Sequence, residues 1–388
     1  MASSTFTEQR TVERLRLSLS RVMHVEGYEI AKPPDELIIF RGRIVGDTGA
    51  AFDRISEAFE QQGYTAMLRQ GDEGGHRVLA VRGVHDSEPS NPWVNVALFL
   101  ATLATVIFIG AAYALQHAEL AEGVEVSLDL PTILSHLHWG IPFAATLMGI
   151  LLAHELSHYF VARRYGSPVS LPYFIPMPNL LGTMGAVITQ KAPMRDREAL
   201  FDIGVAGPLG GLVVAIPLLI LGLSLSSVQP PPPQLDTALQ EGNSLLYMGL
   251  KYLVFGEILP SNGRDVWIHP VAFAGWAGLL VTMINLIPVG QLDGGHVSYA
   301  LLGRKAWTLG HVLIAAMFGW GGYLLLMGNE AGGFWALWGL INLLVNRKHP
   351  PPLDDVTPVS PGRIALGVFM LVIFILTFMP SPLREVSL

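Results

Sequence analysis

From Trp139 to Ala153 the chain carries fifteen residues without a charged side chain, and this run passes directly into His154-Glu155-Leu156-Ser157-His158. A helix of about 20 apolar residues crosses a bilayer. Reading Trp139–Phe160 as such a span places two imidazoles and a carboxylate in its last turns. Residues four apart share a helix face, so His154 and His158 can each turn a ring nitrogen toward one metal ion. Glu155 sits on the same turn, where it can hold a water activated by that metal. A carboxylate in lipid is costly unless it meets a partner or a wet cavity, so it marks a candidate functional site. The other reading is a structural polar cluster that bonds neighbouring helices. A third ligand supplied elsewhere in the chain favours the metal.

Only 14% of the 388 residues are charged, against about 25% in soluble domains. Most of the chain therefore belongs in lipid. A net charge of −7 argues against nucleic acid as a partner. The absence of cysteine removes disulfides, a thiol nucleophile and thiolate metal ligands. No apolar stretch precedes Trp93, so the first span is expected to act as its own insertion signal. Glu8 and Glu13 are unlike an acidic-poor transit peptide, which favours a bacterial inner membrane over a plastid.

Residues 1–92 read as a small soluble α+β domain with a linker at 84–92. Val12, Leu15, Leu19 and Val22 have helical spacing, as do Phe52, Ile55 and Phe59 before Gly63. Strands are expected around Leu37–Phe40, at Tyr64–Arg69 and at Arg77–Arg82, giving the order helix, strand, helix, strand, strand. No chemical constellation appears here. Docking of a regulatory partner is one role for the domain; a plain folding or targeting appendage is the other.

Residues 93–388 read as an all-α polytopic membrane domain of about six or seven transmembrane helices. The expected spans are Trp93–Leu115, Trp139–Phe160, Ile203 to about Leu225, His269–Pro288, Trp307–Met327 and Ile364–Met379. Phe334–Val345 is a further span only if tilted or recessed. Gly182–Gln190 is too short and glycine-broken for a span, and reads as a small membrane-associated β element. Pro230–Pro233 open a polar loop. Basic residues cluster at Arg163-Arg164, Lys191-Arg195-Arg197, Arg304-Lys305 and Arg347-Lys348. The positive-inside rule puts these clusters, and the N-terminal domain, in the cytoplasm. It also brings the ends of the second and fourth expected spans to one side and one depth.

That convergence makes Asp293 the best third ligand, since a catalytic zinc takes three protein ligands and leaves a fourth place open. Asp293-Gly294-Gly295 is also a tight turn and a helix N-cap, and both roles can hold together. His296 is a weaker competitor. Water acidified by the ion would give its proton to Glu155, which would pass it to a leaving amine. This is hydrolysis of a peptide bond, in a cavity wet from one side. The edge of Gly182–Gln190, with Gly182, Thr183 and Gly185, could take an unwound substrate by strand addition or be an ordinary hairpin. Asn285 could bond substrate backbone or cap the broken helix. Two imidazoles and a carboxylate would also suit iron or cobalt.

The motif in a span, Ala206-Gly207-Pro208-Leu209-Gly210-Gly211, and Asn285 with Pro288 and Leu292-Asp293-Gly294 together resemble the site-2 protease family of intramembrane zinc metalloproteases over about residues 93–350. Phe174-Ile175-Pro176 and Gly182-Thr183-Met184-Gly185 are similar to its bacterial and plastid branch with a soluble N-terminal extension. The resemblance implies one zinc per chain on His154, His158 and Asp293, with Glu155 as acid and base. It also implies transmembrane substrates such as membrane-anchored regulators, and does not extend to residues 1–92. A polytopic metal transporter and a non-catalytic homologue that binds membrane segments are the alternatives.

Overall fold

The computed structural model describes residues 2–31, 37–84, 90–122, 127–230, 237–345 and 348–387. Most of the expected linker, the loop after Pro230 and Arg347 of the last basic cluster lie outside the described residues.

The N-terminal region runs α1 (Ala2–Leu19), β1 (Met23–Ile30), β2 (Leu37–Ile44), α2 (Thr48–Glu60), β3 (Tyr64–Gln70) and β4 (His76–Arg82). Asp47 caps α2 by accepting the Ala50 N–H, and Phe52, Ile55 and Phe59 face inward from it. Ile38, Phe40, Leu68, Val78 and Ala80 supply the sheet side of the same core. The sheet is antiparallel with order β1-β2-β4-β3. β1 is absent from the sequence-based order. It is an edge strand with a bulge between Val25 and Gly27, and most of its residues are exposed or half-buried, so no apolar alternation marks it. Gly42 faces the bulge, where a Cβ would overlap the backbone carbonyl of His24.

The rest of the chain is a helical bundle. Its elements are α3 (Pro92–Glu122), α4 (Leu130–Ser135), α5 (Ile141–Arg164), β5 (Tyr173–Pro176), β6 (Thr183–Val187) and α6 (Arg197–Ser224). They continue with β7 (Ser227–Gln229), β8 (Thr237–Glu241), α7 (Leu245–Phe255), β9 (Asp265–Trp267), α8 (Pro270–Asn285) and α9 (Asp293–Leu302). Then come α10 (Lys305–Leu326), α11 (Ala331–Leu344), α12 (Pro361–Thr377) and β10 (Leu383–Ser387). Strands β5 and β6 form one hairpin, while β7 pairs with β9 and β8 with β10 near the C-terminal end of α6.

Among the described residues, four helices are long and apolar enough to cross a membrane: α3, α5 with the turn before it, α6 and α10. Helices α7, α8, α11 and α12 are apolar but shorter. The third expected span starts earlier than its apolar run, at Arg197, because Asp196 caps α6 by accepting the Ala199 N–H at 2.8 Å. The fourth stops at Asn285. Its remaining length is non-helical chain, Leu286-Ile287-Pro288-Val289, in which Leu286, Ile287 and Val289 are buried. Pro288 has no N–H to continue a helix, and irregular backbone at membrane depth is tolerated where protein covers it. α8 is the most enclosed helix of the group, with Trp276, Ala277, Leu279 and Met283 fully buried. It lies beside α5 and α6, and these three helices hold the centre of the main core.

Candidate functional site

The packing of α6 on α5 positions the first two imidazoles. Three glycines of α6 face the motif. A Cβ at Gly207 would overlap the His158 ring, one at Gly210 the Ser157 hydroxyl, and one at Gly211 would lie 3.2 Å from His154 Nδ1. Small residues here let the helices approach until the polar side chains are covered. Gly204 extends the same face by one turn, where a Cβ would meet His296 Cβ at 2.8 Å and the Asp293 carbonyl at 3.2 Å. The sequence reading noticed 206–211 but missed Gly204; the spacing of 204, 207 and 211 on one helix face was the available signal. His154, Glu155 and His158 are 3%, 6% and 5% exposed.

Asp293 arrives from the other side, in the first turn of α9. Gly294 and Gly295 leave no room for side chains, since a Cβ on either would overlap the carbonyls of Leu286 and Gly290 respectively. The turn is therefore as tight as its sequence suggests. The cap, however, is not made by Asp293: Leu292 holds the cap position and no side chain bonds there. The Asp293 carboxylate crosses to α5 instead. Its Oδ2 lies 3.1 Å from His154 Nε2 and its Oδ1 3.2 Å from His158 Nε2. The two Nε2 atoms are 3.2 Å apart. His158 Nδ1 donates to the Ile203 carbonyl at 2.7 Å, which leaves its Nε2 as the lone-pair nitrogen.

These residues fit a zinc ion. Ligand atoms at about 2.0–2.1 Å from a tetrahedral zinc are about 3.3 Å from each other, close to the three distances observed. Asp293 Oδ2 is fully buried and accepts no hydrogen bond, a costly state for a carboxylate oxygen unless a cation satisfies it. Among the described residues, His154, His158 and Asp293 are the one group of three such side chains converging in this way.

Glu155 lies beside the hairpin, with its carboxylate near the backbone N–H of Ile188. Ile188 directly follows β6, whose one strand partner among the described residues is β5. The sequence reading did not single out Ile188. Gly182 and Thr183 are committed to the hairpin itself. Gly182 has φ of 75° and accepts from the Thr105 hydroxyl at 2.7 Å. The Thr183 hydroxyl donates to the Ile175 carbonyl at 2.9 Å and accepts the Gly185 N–H at 2.9 Å. Gly185 has φ of 98°, which favours glycine. Asn285, the last residue of α8, stands at the rim with its amide 3.4 Å from His154 Nε2. His296 turns away from the three converging ligands: its Nδ1 is 2.6 Å from His349 Nε2.

Comparison with known proteins bears on what this geometry is for. Residues 142–327 match peptidase family M50. The chain is 32% identical over 330 residues to an Arabidopsis thaliana protein named probable zinc metalloprotease EGY1, chloroplastic, covering 79% of this chain and 57% of that one. Over 378 residues it is 32% identical to the rice (Oryza sativa subsp. japonica) protein of the same name, covering 89% and 63%. It is 27% identical over 368 residues to probable zinc metalloprotease EGY2, chloroplastic, of Oryza sativa subsp. indica, covering 90% and 63%. The chain thus spans about three-fifths of the length of these curated relatives.

Proposed function

We propose, from the premise that residues 142–327 are a peptidase family M50 domain, that this chain is an intramembrane zinc metalloprotease of the site-2 type. One observation carries the reading beyond the family match. A buried carboxylate, free of the cap its position would suggest, closes a triangle with the two imidazoles of a membrane helix. In the proposed site His154, His158 and Asp293 hold one zinc.

Bound there, zinc would act as a Lewis acid and bring the pKa of water toward about 7. Glu155 takes the proton that water loses as its oxygen adds to the scissile carbonyl. It returns that proton to the amine nitrogen as the C–N bond breaks, leaving a carboxylate and an amine. The Ile188 N–H lies near the Glu155 carboxylate, which sets this acid and base beside the hairpin. The free side of β6 offers an extended segment backbone partners next to Glu155, which supports substrate entry by strand addition. Asn285 at the rim is placed to bond that segment. Gly182, Thr183 and Gly185 serve this binding indirectly, by shaping the hairpin.

The substrates are transmembrane segments of membrane-anchored proteins, with regulators as the class the resemblance implies. The lipid bilayer is the second partner. The chain divides into residues 1–92 and 93–388, and α8 and α12 bring the four long helices to six membrane spans, with α11 as the seventh where it is tilted or recessed and α7 at the interface. Arg195, in one of the basic clusters, forms an ion pair with Asp53 of the N-terminal region. This supports an N-terminal domain on the cytoplasmic side, or on the side equivalent to it in an organelle. The relatives carry chloroplast names, in contrast to the bacterial inner membrane expected from the sequence.

Replacing Glu155 by Gln in the detergent-purified chain tests this. Cleavage of a transmembrane-peptide reporter should fall by about 10²–10⁴-fold with zinc retained. Substantial turnover in that variant would sink the mechanism. A transporter would keep metal flux with Glu155→Gln, and a non-catalytic homologue would bind the reporter without cutting it in either form.

A further inference from the structure

Segment 352–357, between α11 and α12, touches three parts of the molecule at once. Its backbone adds to the outer edge of β3: the Leu68 N–H donates to the Leu353 carbonyl at 2.8 Å, and the Asp355 N–H donates to the Leu68 carbonyl at 3.2 Å. Its other side bonds the chain just before α6, where the Leu353 N–H donates to the Met194 carbonyl and the Asp354 N–H to the Arg195 carbonyl, each at 2.8 Å. Prolines at 350–352 offer carbonyls but no N–H. Arg69 Nη1 takes two of the carbonyls here, Pro352 at 2.8 Å and Leu353 at 2.7 Å. Leu353 and Val356 pack on the core of the N-terminal region.

Two adjacent buried carboxylates do different work. Asp354 is 1% exposed and fixes the segment's own turn, accepting from the N–H groups of Val356 and Thr357 and from the Thr357 hydroxyl. Asp355 reaches into the bundle. Its Oδ1 accepts from Arg197 Nε at 3.2 Å and lies 3.1 Å from Arg197 Nη2, while its Oδ2 accepts from the Tyr299 hydroxyl at 3.2 Å. Arg197 begins α6, the helix whose glycines cover the imidazoles. Tyr299 is on α9, the helix that begins with Asp293. The Arg197 guanidinium also lies under Gly303, the end of α9, where a Cβ would meet Nη2 at 2.6 Å.

We infer that Asp355 is a positioning residue for the metal centre, and that through it the docked N-terminal domain sets the placement of Asp293. Helix α9 is ten residues long, so it moves as one rigid piece. Its C-terminal half is held by Asp355 and Arg197, and its N-terminal end carries the third ligand. A tilt at one end is a displacement at the other, and a displacement of about 1 Å can cost a site about 10²-fold. This inference rests on the zinc reading of His154, His158 and Asp293.

The test measures zinc affinity, by competition with a chromogenic chelator, in the full-length chain purified in detergent. Tyr299→Phe removes a single hydroxyl, Asp355→Asn removes the charge with little change of shape, and Arg69→Ala loosens the segment from β3 by removing the bonds to the Pro352 and Leu353 carbonyls. Each should weaken zinc binding about 3- to 30-fold when measured at a temperature where the variant is folded, with Asp355→Glu recovering part of the loss. Asp293→Ala is the control and should abolish binding. Wild-type affinity in Tyr299→Phe and Asp355→Asn, with zinc lost in Asp293→Ala, would overturn the positioning role and leave the metal centre standing. A wild-type chain that holds no zinc would instead refute the underlying reading. If Asp355→Asn does not fold, Tyr299→Phe and Arg69→Ala decide.

Discussion

Two buried polar clusters share this apolar bundle, near opposite ends of α8. One is His154, His158 and Asp293. The other joins Lys251 of α7, Glu241 of β8, Asp265 of β9 and Tyr247 of α7. Lys251 is 1% exposed, with Nζ 3.3 Å from Glu241 Oε1, 3.8 Å from Asp265 Oδ1 and 4.6 Å from the Tyr247 ring centroid. The Tyr247 hydroxyl donates to Glu241 Oε1 at 3.1 Å, and Gln240 Nε2 to Asp265 Oδ2 at 2.7 Å. The second cluster thus contains its own cation. The first directs a carboxylate and at least one imidazole lone pair inward and leaves Asp293 Oδ2 without a hydrogen bond. Burying charge is costly unless it is paired. The Lys251 cluster meets that condition with a residue and ties the β-strands to the helices. The His154 cluster meets it only when a cation joins, which is the physical content of calling it a receptor for a metal.

The sharpest way to break the comparison is to remove the ligands. His154→Ala and Asp293→Ala should each lose the zinc and all measurable cleavage, by metal analysis and a reporter assay, with the Lys251 cluster unaffected. Chelation of the wild-type chain should do the same reversibly. Zinc content unchanged by Asp293→Ala would make the two clusters alike and remove the third ligand.

Removing the resident cation of the other cluster should act on stability alone. Lys251→Met leaves the buried Glu241 and the half-buried Asp265 without this cation, and loss of one member of a buried ion pair costs about 3–5 kcal/mol. Thermal unfolding in detergent should shift accordingly, while the zinc content stays at the wild-type level. A fall in zinc content at temperatures where the variant is folded would mean that the two ends of α8 are coupled.

A smaller effect is expected from the packing that covers the metal cluster. Gly211→Ala sets a methyl group 3.2 Å from His154 Nδ1. Such overpacking costs about 1–3 kcal/mol, and should lower zinc affinity more than it lowers melting temperature. This position also shows how far the sequence could be read. His154, Glu155 and His158 were legible because helical spacing is local, and Asp293 because a carboxylate at the end of an apolar run has few other reasons to be there. The specific partners of Gly207, Gly210 and Gly211 were not, since they depend on how α6 crosses α5. The bonds of Arg69 join parts of the chain nearly three hundred residues apart, those of the Asp355 carboxylate span 158 and 56 residues, and neither set follows a periodic pattern. β1 escaped because an edge strand needs no apolar alternation. The span count depends on α8 ending at Asn285 with buried, non-helical chain beyond it, which hydropathy alone cannot distinguish from more helix.

A third polar pair lies between the two extremes and predicts the smallest effect. His349 faces His296 at 2.6 Å, stacks on Tyr299 at 4.8 Å between centroids, and its carbonyl accepts from Trp307 Nε1 at 3.0 Å. Burial lowers the His349 pKa to about 3, with the neighbouring His296 adding to the shift. The folded chain therefore keeps this ring neutral, while the undocked segment protonates it near its ordinary value of about 6.5. A base whose pKa is depressed on folding contributes stability above the unfolded pKa and loses it as pH falls toward the folded one. Acidification from pH 7 to 5.5 should then cost about 1 kcal/mol, seen as a lower melting temperature. His349→Gln, neutral at every pH, should flatten that slope. Because this pair contains neither a resident cation nor a carboxylate, its loss should leave the metal content unchanged at pH 7. A slope that survives in His349→Gln would assign the acid sensitivity to His296, whose pKa burial also lowers, or to the metal ligands, whose protonation releases the ion.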